Sequence, residues 1–122
     1  MVARRYDELE CWQLADSLKH EVYEFTGRPL VKRDYKFCDQ IRESARSAPS
    51  NIAEGFARFR PADFARFLEF ARASLAETDN HLRDARALKY LNDDELKRIR
   101  LLAKRAAGAR TKLLLYLRGR GK

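Results

Sequence analysis

The residues of this chain most able to do chemistry are the cations that close it. Beyond Glu95 no acidic residue remains, while Lys97, Arg98, Arg100, Lys104, Arg105, Arg110, Lys112, Arg118, Arg120 and Lys122 all follow. The first 60 residues hold 11 Lys/Arg against 10 Asp/Glu, and residues 61–122 hold 15 against 8, so the net charge of +8 lies almost wholly in the second half. Such an asymmetry points to a polyanionic partner: nucleic acid first, an acidic protein or membrane surface second. Within one helical pattern Lys97, Lys104 and Arg118 form one row, and Arg98, Arg105 and Lys112 another. These six are the expected nucleic-acid contacts, gripping phosphates without reading sequence and releasing them as salt rises. The bland alternative is a solvated face that keeps a basic protein soluble.

Four phenylalanines, Phe56, Phe59, Phe67 and Phe70, could stack unpaired bases beside nearby arginines. A group of this kind is more often core or subunit contact, and that is the reading adopted. Ser50, Asn51, Glu54 and Glu77 are expected to form a polar cluster where two helices meet. As an active site it would need Glu54 and Glu77 as paired carboxylates. Bundle di-metal sites use Glu-x-x-His on two helices, whereas Glu77-Thr78-Asp79-Asn80-His81 is one residue too long and occurs once. The structural reading is preferred: Asn51 satisfying backbone groups freed by Pro49, and Glu54 or Glu77 pairing Arg110. His20 and His81 are isolated, and no phosphate-binding glycine loop, nucleophile–base pair or metal-spaced cysteine set occurs. No enzyme activity, metal or cofactor is expected.

The elements that must position these residues are all helical. With 122 residues, 45% hydrophobic and 36% charged, the chain reads as one globular domain able to bury ~65% of its unfolded surface. No apolar run approaches 18 residues, which excludes a membrane-spanning helix. Cys11 and Cys38 read as free buried thiols, the first residues lack a secretory h-region, and a cytoplasmic location follows. A first helix is expected from Asp7, with Glu10 completing a capping box and Tyr6 a staple. Its stripe is Leu9, Trp12, Ala15, Leu18, Val22 and Phe25, stopped by Gly27-Arg28-Pro29. A loop to about Arg33 leads to Asp34, the cap of a second helix ending near Gly55. The third helix opens at Pro61 and keeps an unbroken heptad through Phe64, Leu68, Ala71, Leu75, Thr78, Leu82 and Ala85. Asn92 or Asp93 caps the fourth, whose seam is Leu96, Ile99, Ala103, Ala106, Arg110, Leu113 and Leu117. Short connections predict an antiparallel up-down-up-down four-helix bundle over residues 1–118, with a basic disordered tail at 119–122.

The second helix carries the organising stretch, Ser47-Ala48-Pro49-Ser50-Asn51-Ile52-Ala53-Glu54-Gly55. Its apolar spacing is helical, yet Pro49 cannot donate to Ala45 and crowds that carbonyl, costing ~3 kcal/mol unless packing compensates. A kink at Pro49 is expected, with small residues around it that let a neighbouring helix come close. On the fourth helix Leu101, Gly108 and Leu115 lie farthest from the seam, with Tyr116 on the flank. A helix apolar over most of its circumference is usually buried on more than one side. Leu101, Leu115, Tyr116, Phe67 and Phe70 are therefore expected at an oligomer interface.

These marks together resemble the four-helix-bundle family first noticed as reading frames in intervening sequences of bacterial 23S ribosomal RNA genes. The resemblance is carried by Tyr6-Asp7-Glu8-Leu9-x-x-Trp12-x-x-Ala15, by Ile41-Arg42 and the stretch from Ser47 to Gly55, by Phe67-Leu68, Ser74-Leu75-Ala76-Glu77 and Tyr90-Leu91. It spans about residues 6–118 and departs from the family pattern at Phe56. It implies the antiparallel bundle, and related bundles assemble as homopentamers. More distantly the chain resembles basic pentameric accessory proteins of diversity-generating retroelements, which bind nucleic acid and a reverse transcriptase. The expected function is a non-enzymatic, cytoplasmic homopentamer binding RNA or DNA through the fourth helix. The alternative is an oligomeric scaffold serving a protein partner, without nucleic-acid contact.

Overall fold

The computed structural model describes residues 3–120, and among them every regular element is helical. A 3-10 turn, Tyr6–Glu8, precedes α1 (Glu10–Thr26); α2 (Pro29–Lys32) is a single turn; α3 (Tyr35–Phe56), α4 (Pro61–Ala87) and α5 (Asp93–Arg120) are long. None of these helices is long and apolar enough to cross a membrane. α3 packs on α4, α4 on α5, α5 on α1 and α1 on α3. Between them lie Leu18, Val22, Phe25, Ile41, Ile52, Leu68, Leu82 and Ile99, all essentially without solvent contact. The expected stripes of the first and third helices are therefore the core, with Trp12 half-buried at the edge.

The helix ends follow local chemistry, with one exception. Asp34 caps α3, its carboxylate accepting from the Phe37 N–H at 3.2 Å, and its second oxygen accepts from the Tyr90 hydroxyl at 2.6 Å. Pro61 opens α4, where a missing N–H costs nothing. Asn92 and Glu95 cap α5 reciprocally: the Glu95 N–H donates to Asn92 at 2.8 Å and the Asn92 N–H to Glu95 at 3.1 Å. α4 ends with Lys89 at φ 65°, and the Tyr90 N–H returns to the Ala85 carbonyl at 2.8 Å, as in a Schellman ending. The expected cap at Asp7 does not form. Asp7 lies in the 3-10 turn with its carboxylate on Arg5 at 3.0 and 2.7 Å, and Leu9, in extended conformation, is the residue before α1. The expected loop before Asp34 contains α2, opened by Pro29. α5 continues through Arg120, past the expected start of the disordered tail; residues 121 and 122, including the cation Lys122, lie outside the described residues.

Small and hydroxyl residues bring α3 and α4 together. Ser44 Oγ lies 2.9 Å from Thr78 Oγ1, Ser47 Oγ lies 2.8 Å from Ser74 Oγ, and Gly55 abuts Phe64 and Phe67. A Cβ on Gly55 would fall 2.8 Å from both Phe64 Cδ1 and Phe67 Cβ, too close for any real contact. Gly108 lies on the outward side of α5, and a Cβ added there would meet nothing within 4 Å. The two glycines should therefore respond oppositely to the same change. Gly55→Ala should cost about 1–3 kcal/mol through overpacking, and Gly108→Ala should gain about 0.5–1 kcal/mol from helix propensity. Chemical denaturation of each variant measures both; equal effects would remove the close approach as the reason for Gly55.

Candidate nucleic-acid interface

α5 is fixed by one buried strip, Ile99, Ala103, Ala106, Arg110, Leu114 and Leu117, which leaves its opposite side to solvent. Leu114 is the buried leucine of the last turns, while Leu113, expected on the seam, is half-buried beside it. Lys97, Arg98, Lys104, Arg105, Lys112 and Arg118 are all exposed. Arg98 donates to Glu21 on α1 at 2.7 Å. Lys97, Lys104, Arg105, Lys112 and Arg118 make no ion pair or hydrogen bond among the described residues. Arg100, turned toward α4, binds Asp79 through both oxygens at 2.7 and 3.0 Å, and that hydrogen bonding pushes its pKa up further. Cations flanking the seam are thus neutralised by neighbouring helices, and those facing outward are not.

At its N-terminus α5 carries Asp93, Asp94 and Glu95, the favourable sign for that end of a helix dipole. Arg28 pairs Glu95 at 2.7 Å, and this bond, with the Asn92 N–H, holds the Glu95 carboxyl below its ordinary range. The positive surface therefore begins one turn into α5. Between α4 and α5 runs a groove of about 660 Å³, floored by Ala76, Ala103 and Ala107 and rimmed by Arg72, Lys97 and Lys104. Leu101 (56% exposed) and Leu115 (61%) stand among the outward cations, with Tyr116 exposed on the flank. Of the five residues expected at an oligomer interface, these three and Phe70 are exposed, and Phe67 is half-buried.

The phenylalanines do not form the expected core group. Phe56 and Phe67 are half-buried, Phe70 is 45% exposed and Phe59 is fully exposed at the corner between α3 and α4. Phe56 meets Phe64 edge-on at 6.1 Å, and Phe67 meets Phe70 edge-on at 5.5 Å. The Arg58 guanidinium lies 4.7 Å from the Phe67 ring centre and that of Arg66 5.1 Å from it. Helical spacing placed these rings off the seam; which of them a neighbouring helix covers depends on the corner geometry.

The polar cluster between α3 and α4 shares only Asn51 with the one expected. It consists of Ser44, Ser47, Asn51, Ser74 and Thr78. Asn51 donates to the Ser47 carbonyl at 2.9 Å and to Ser47 Oγ at 3.0 Å, and not to the Ala45 carbonyl that Pro49 leaves without its usual donor, so the expected role of Asn51 is corrected. Ser50 is exposed, Glu54 pairs Arg58 at 2.8 Å, and Glu77 lies 3.5 Å from His81. Glu54 and Glu77 thus have separate partners on their own helices, and among the described residues no three His, Cys, Asp or Glu stand together to hold a metal. Both cysteines are free and buried, and burial pushes the Cys11 thiol up to about 11.

Arg110 lies on the core side of α5, 5% exposed, but its partner is Glu69. Arg110 Nη1 donates to Glu69 Oε1 at 3.1 Å and to the Leu68 carbonyl at 3.3 Å, Nη2 to Thr111 Oγ1 at 2.9 Å, and Nε is buried without a partner. The expected pairing with Glu54 or Glu77 is corrected. Glu69 is 45% exposed at its side chain, so solvent screens the pair. Arg110→Leu, which fills the space and removes the unpartnered nitrogen, should be neutral or stabilising, and Arg110→Ala should cost about 2–4 kcal/mol for the cavity. Thermal melts of the two variants decide; matching losses would show the guanidinium itself, rather than its volume, to be needed.

The family model for 23S rRNA-intervening sequence protein matches residues 7–109. Among solved structures, a protein of unknown function from the S23 ribosomal protein family of Bacteroides thetaiotaomicron has a similar fold, with a TM-score of 0.66 at 19% identity, over 92% of this chain and 98% of the other. No curated protein matches the chain.

Proposed function

The chain belongs to the 23S rRNA-intervening sequence protein family, and from that premise we propose that it is a non-enzymatic, cytoplasmic nucleic-acid-binding protein, an antiparallel up-down-up-down four-helix bundle kinked at Pro49. RNA or DNA meets it through phosphate contacts from α5. The observation that carries this reading is the set of five outward cations, Lys97, Lys104, Arg105, Lys112 and Arg118, none of them in an ion pair among the described residues. On the same helix Arg98 and Arg100, which lean toward α1 and α4, are by contrast paired with Glu21 and Asp79. Ser44–Thr78 and Ser47–Ser74 between α3 and α4, and Asp79–Arg100 and Glu69–Arg110 between α4 and α5, join rising residue numbers on one helix to falling numbers on the next, which supports the antiparallel arrangement.

Assembly as a homo-oligomer is part of the proposal, and the pentamer rests on the resemblance to pentameric bundles. It is supported by Leu101 and Leu115, apolar side chains held in solvent between cations. The same leucines favour a second reading, in which α5 is a docking surface for a protein partner and nucleic acid is not bound directly.

The variant Lys104→Glu/Arg105→Glu/Lys112→Glu tests the first reading, leaving Arg98 and its bond to Glu21 in place. Each phosphate neutralised on a duplex contributes ~0.9 to the slope of log K against log salt. Filter binding of structured RNA and duplex DNA across a salt series should show a slope smaller by roughly 2–3 and weaker binding, with helicity unchanged. Unaltered affinity and slope would rule this face out and leave the protein-docking reading.

A further inference from the structure

A second feature lies at the end of the molecule where the α3–α4 corner meets the last turns of α5. There Phe56, Phe59, Phe64 and Tyr116 wall a cleft of about 240 Å³, with Arg58 and Arg60 at its rim. Among the described residues no carboxylate lines it. Arg58 is shared with Glu54 at 2.8 Å, while Arg60 has no ion-pair partner among the described residues. Phe59 is exposed over its whole ring, a state that forgoes roughly 1.5–3 kcal/mol of burial for a side chain of that size.

Aromatic walls under a cationic rim select a flat ring that has an anionic group attached to it. A nucleotide whose base is not already stacked in a duplex has that chemistry: the ring lies on an aromatic face and the phosphate meets the guanidinium. Continuity with the basic side of α5 points the same way. Tyr116 stands one turn after Lys112 on one side of that helix, with Arg105 exposed farther back along the same side. A strand leaving the cleft would therefore pass at once onto unpaired cations. A second copy of this chain fits the cleft less well, since it would bring a protein of net charge +8 to an arginine rim.

We infer that this cleft is a binding site for an unpaired nucleobase of a single-stranded nucleic acid, with Phe59 as its stacking platform and Arg60 as its phosphate contact. The inference deepens the nucleic-acid reading of α5 and rests on it for the path of the strand. It adds a preference that phosphate contacts alone do not give: unpaired segments are bound more tightly than duplex.

The test uses two probes, so that the two readings can fail separately. Adenosine 5′-monophosphate titrated into ¹⁵N-labelled protein should move the amide signals of residues 56–64 and 116, and Phe59→Ala should abolish those shifts. Labelled single-stranded oligoadenylate should bind Phe59→Ala about tenfold more weakly, the loss expected for one stacked base, while a blunt RNA duplex binds as before. Because Phe59 has no packing to lose, the variant should fold as the native chain does. Absence of the nucleotide shifts, or equal loss for single strand and duplex, overturns the cleft. A fall in sedimentation mass for Phe59→Ala also overturns it, by making the corner a subunit contact. If instead the triple Glu variant of α5 binds both polymers normally, the α5 reading fails, and the nucleotide titration alone decides the cleft.

Discussion

The constraint on which the rest depends is the narrow seam between α3 and α4. Interaxial distance follows the size of the side chains at the contact, and here those are Ser44, Ser47, Ala48 and Gly55 against Ala71, Ser74 and Thr78. Buried hydroxyls are costly unless bonded, and each of these has a bond: Thr78 Oγ1 lies 2.8 Å from the Ser74 carbonyl and 2.9 Å from Ser44 Oγ, and Ser74 Oγ 3.1 Å from the Phe70 carbonyl. The seam thus combines closeness, which only small residues allow, with a lateral register that an apolar seam would leave looser. Pro49 is buried on this same helix, and tertiary packing there offsets its lost hydrogen bond. Fixing α3 on α4 fixes where Phe64 and Phe67 lie, and hence the corner that walls the terminal cleft.

The second ordering principle is how charge is distributed around α5. Its inward-leaning arginines each find a carboxylate on a neighbouring helix: Arg98 with Glu21, Arg100 with Asp79, Arg110 with Glu69. Of these, the exposed pairs Arg98–Glu21 and Arg100–Asp79 contribute little to stability, typically under about 1 kcal/mol each. Their consequence is positional. Asp79–Arg100 and Glu69–Arg110 lie ten residues apart on both helices, so one register of α4 against α5 satisfies both. Once those carboxylates are taken, Lys97, Lys104, Arg105, Lys112 and Arg118 are left on the outward side of α5, where they act on solvent and on whatever anion comes near.

Much of this arrangement is legible in the amino-acid sequence alone. The period of apolar residues identifies the core face of each long helix, and Asp34, Pro61 and Asn92 mark three helix starts through backbone chemistry that is local. What periodicity does not contain is the register between helices. Arg110 falls on the seam by counting along its own helix, yet its partner depends on how α4 slides against α5, and Glu69 is reachable only through the companion pair Asp79–Arg100. The hydroxyls of Ser44, Ser74 and Thr78 are hidden for a related reason: in a heptad they occupy core positions, and only the facing helix reveals that they bond to one another. Asp7 goes to Arg5 because a side chain two residues away competes with the helix for a capping carboxylate. α2, with four residues, spans barely one helical turn, too little for a repeat to announce it.

The outward side of α5 also limits how copies of the chain can associate. A two-fold contact joins a surface to itself, so α5 against α5 would set Lys97, Lys104, Arg105 and Lys112 of one copy against the same cations of the other, with no carboxylate after Glu95 to separate them. Leu101 and Leu115 do not offset that repulsion, because each is flanked by the cations that would have to be desolvated with it. A head-to-tail contact has no such defect, since it joins two different surfaces and closes into a ring when the rotation permits. The exposed acids Asp39 and Glu43 on α3 and Glu77 on α4 offer the opposite sign. If they covered α5, the basic surface would be consumed in assembly; if the contact used Phe67 and Phe70 instead, every copy would keep its five free cations for phosphate. Charge alone therefore disfavours a two-fold contact through α5, and it ties the nucleic-acid reading to contacts that leave α5 uncovered.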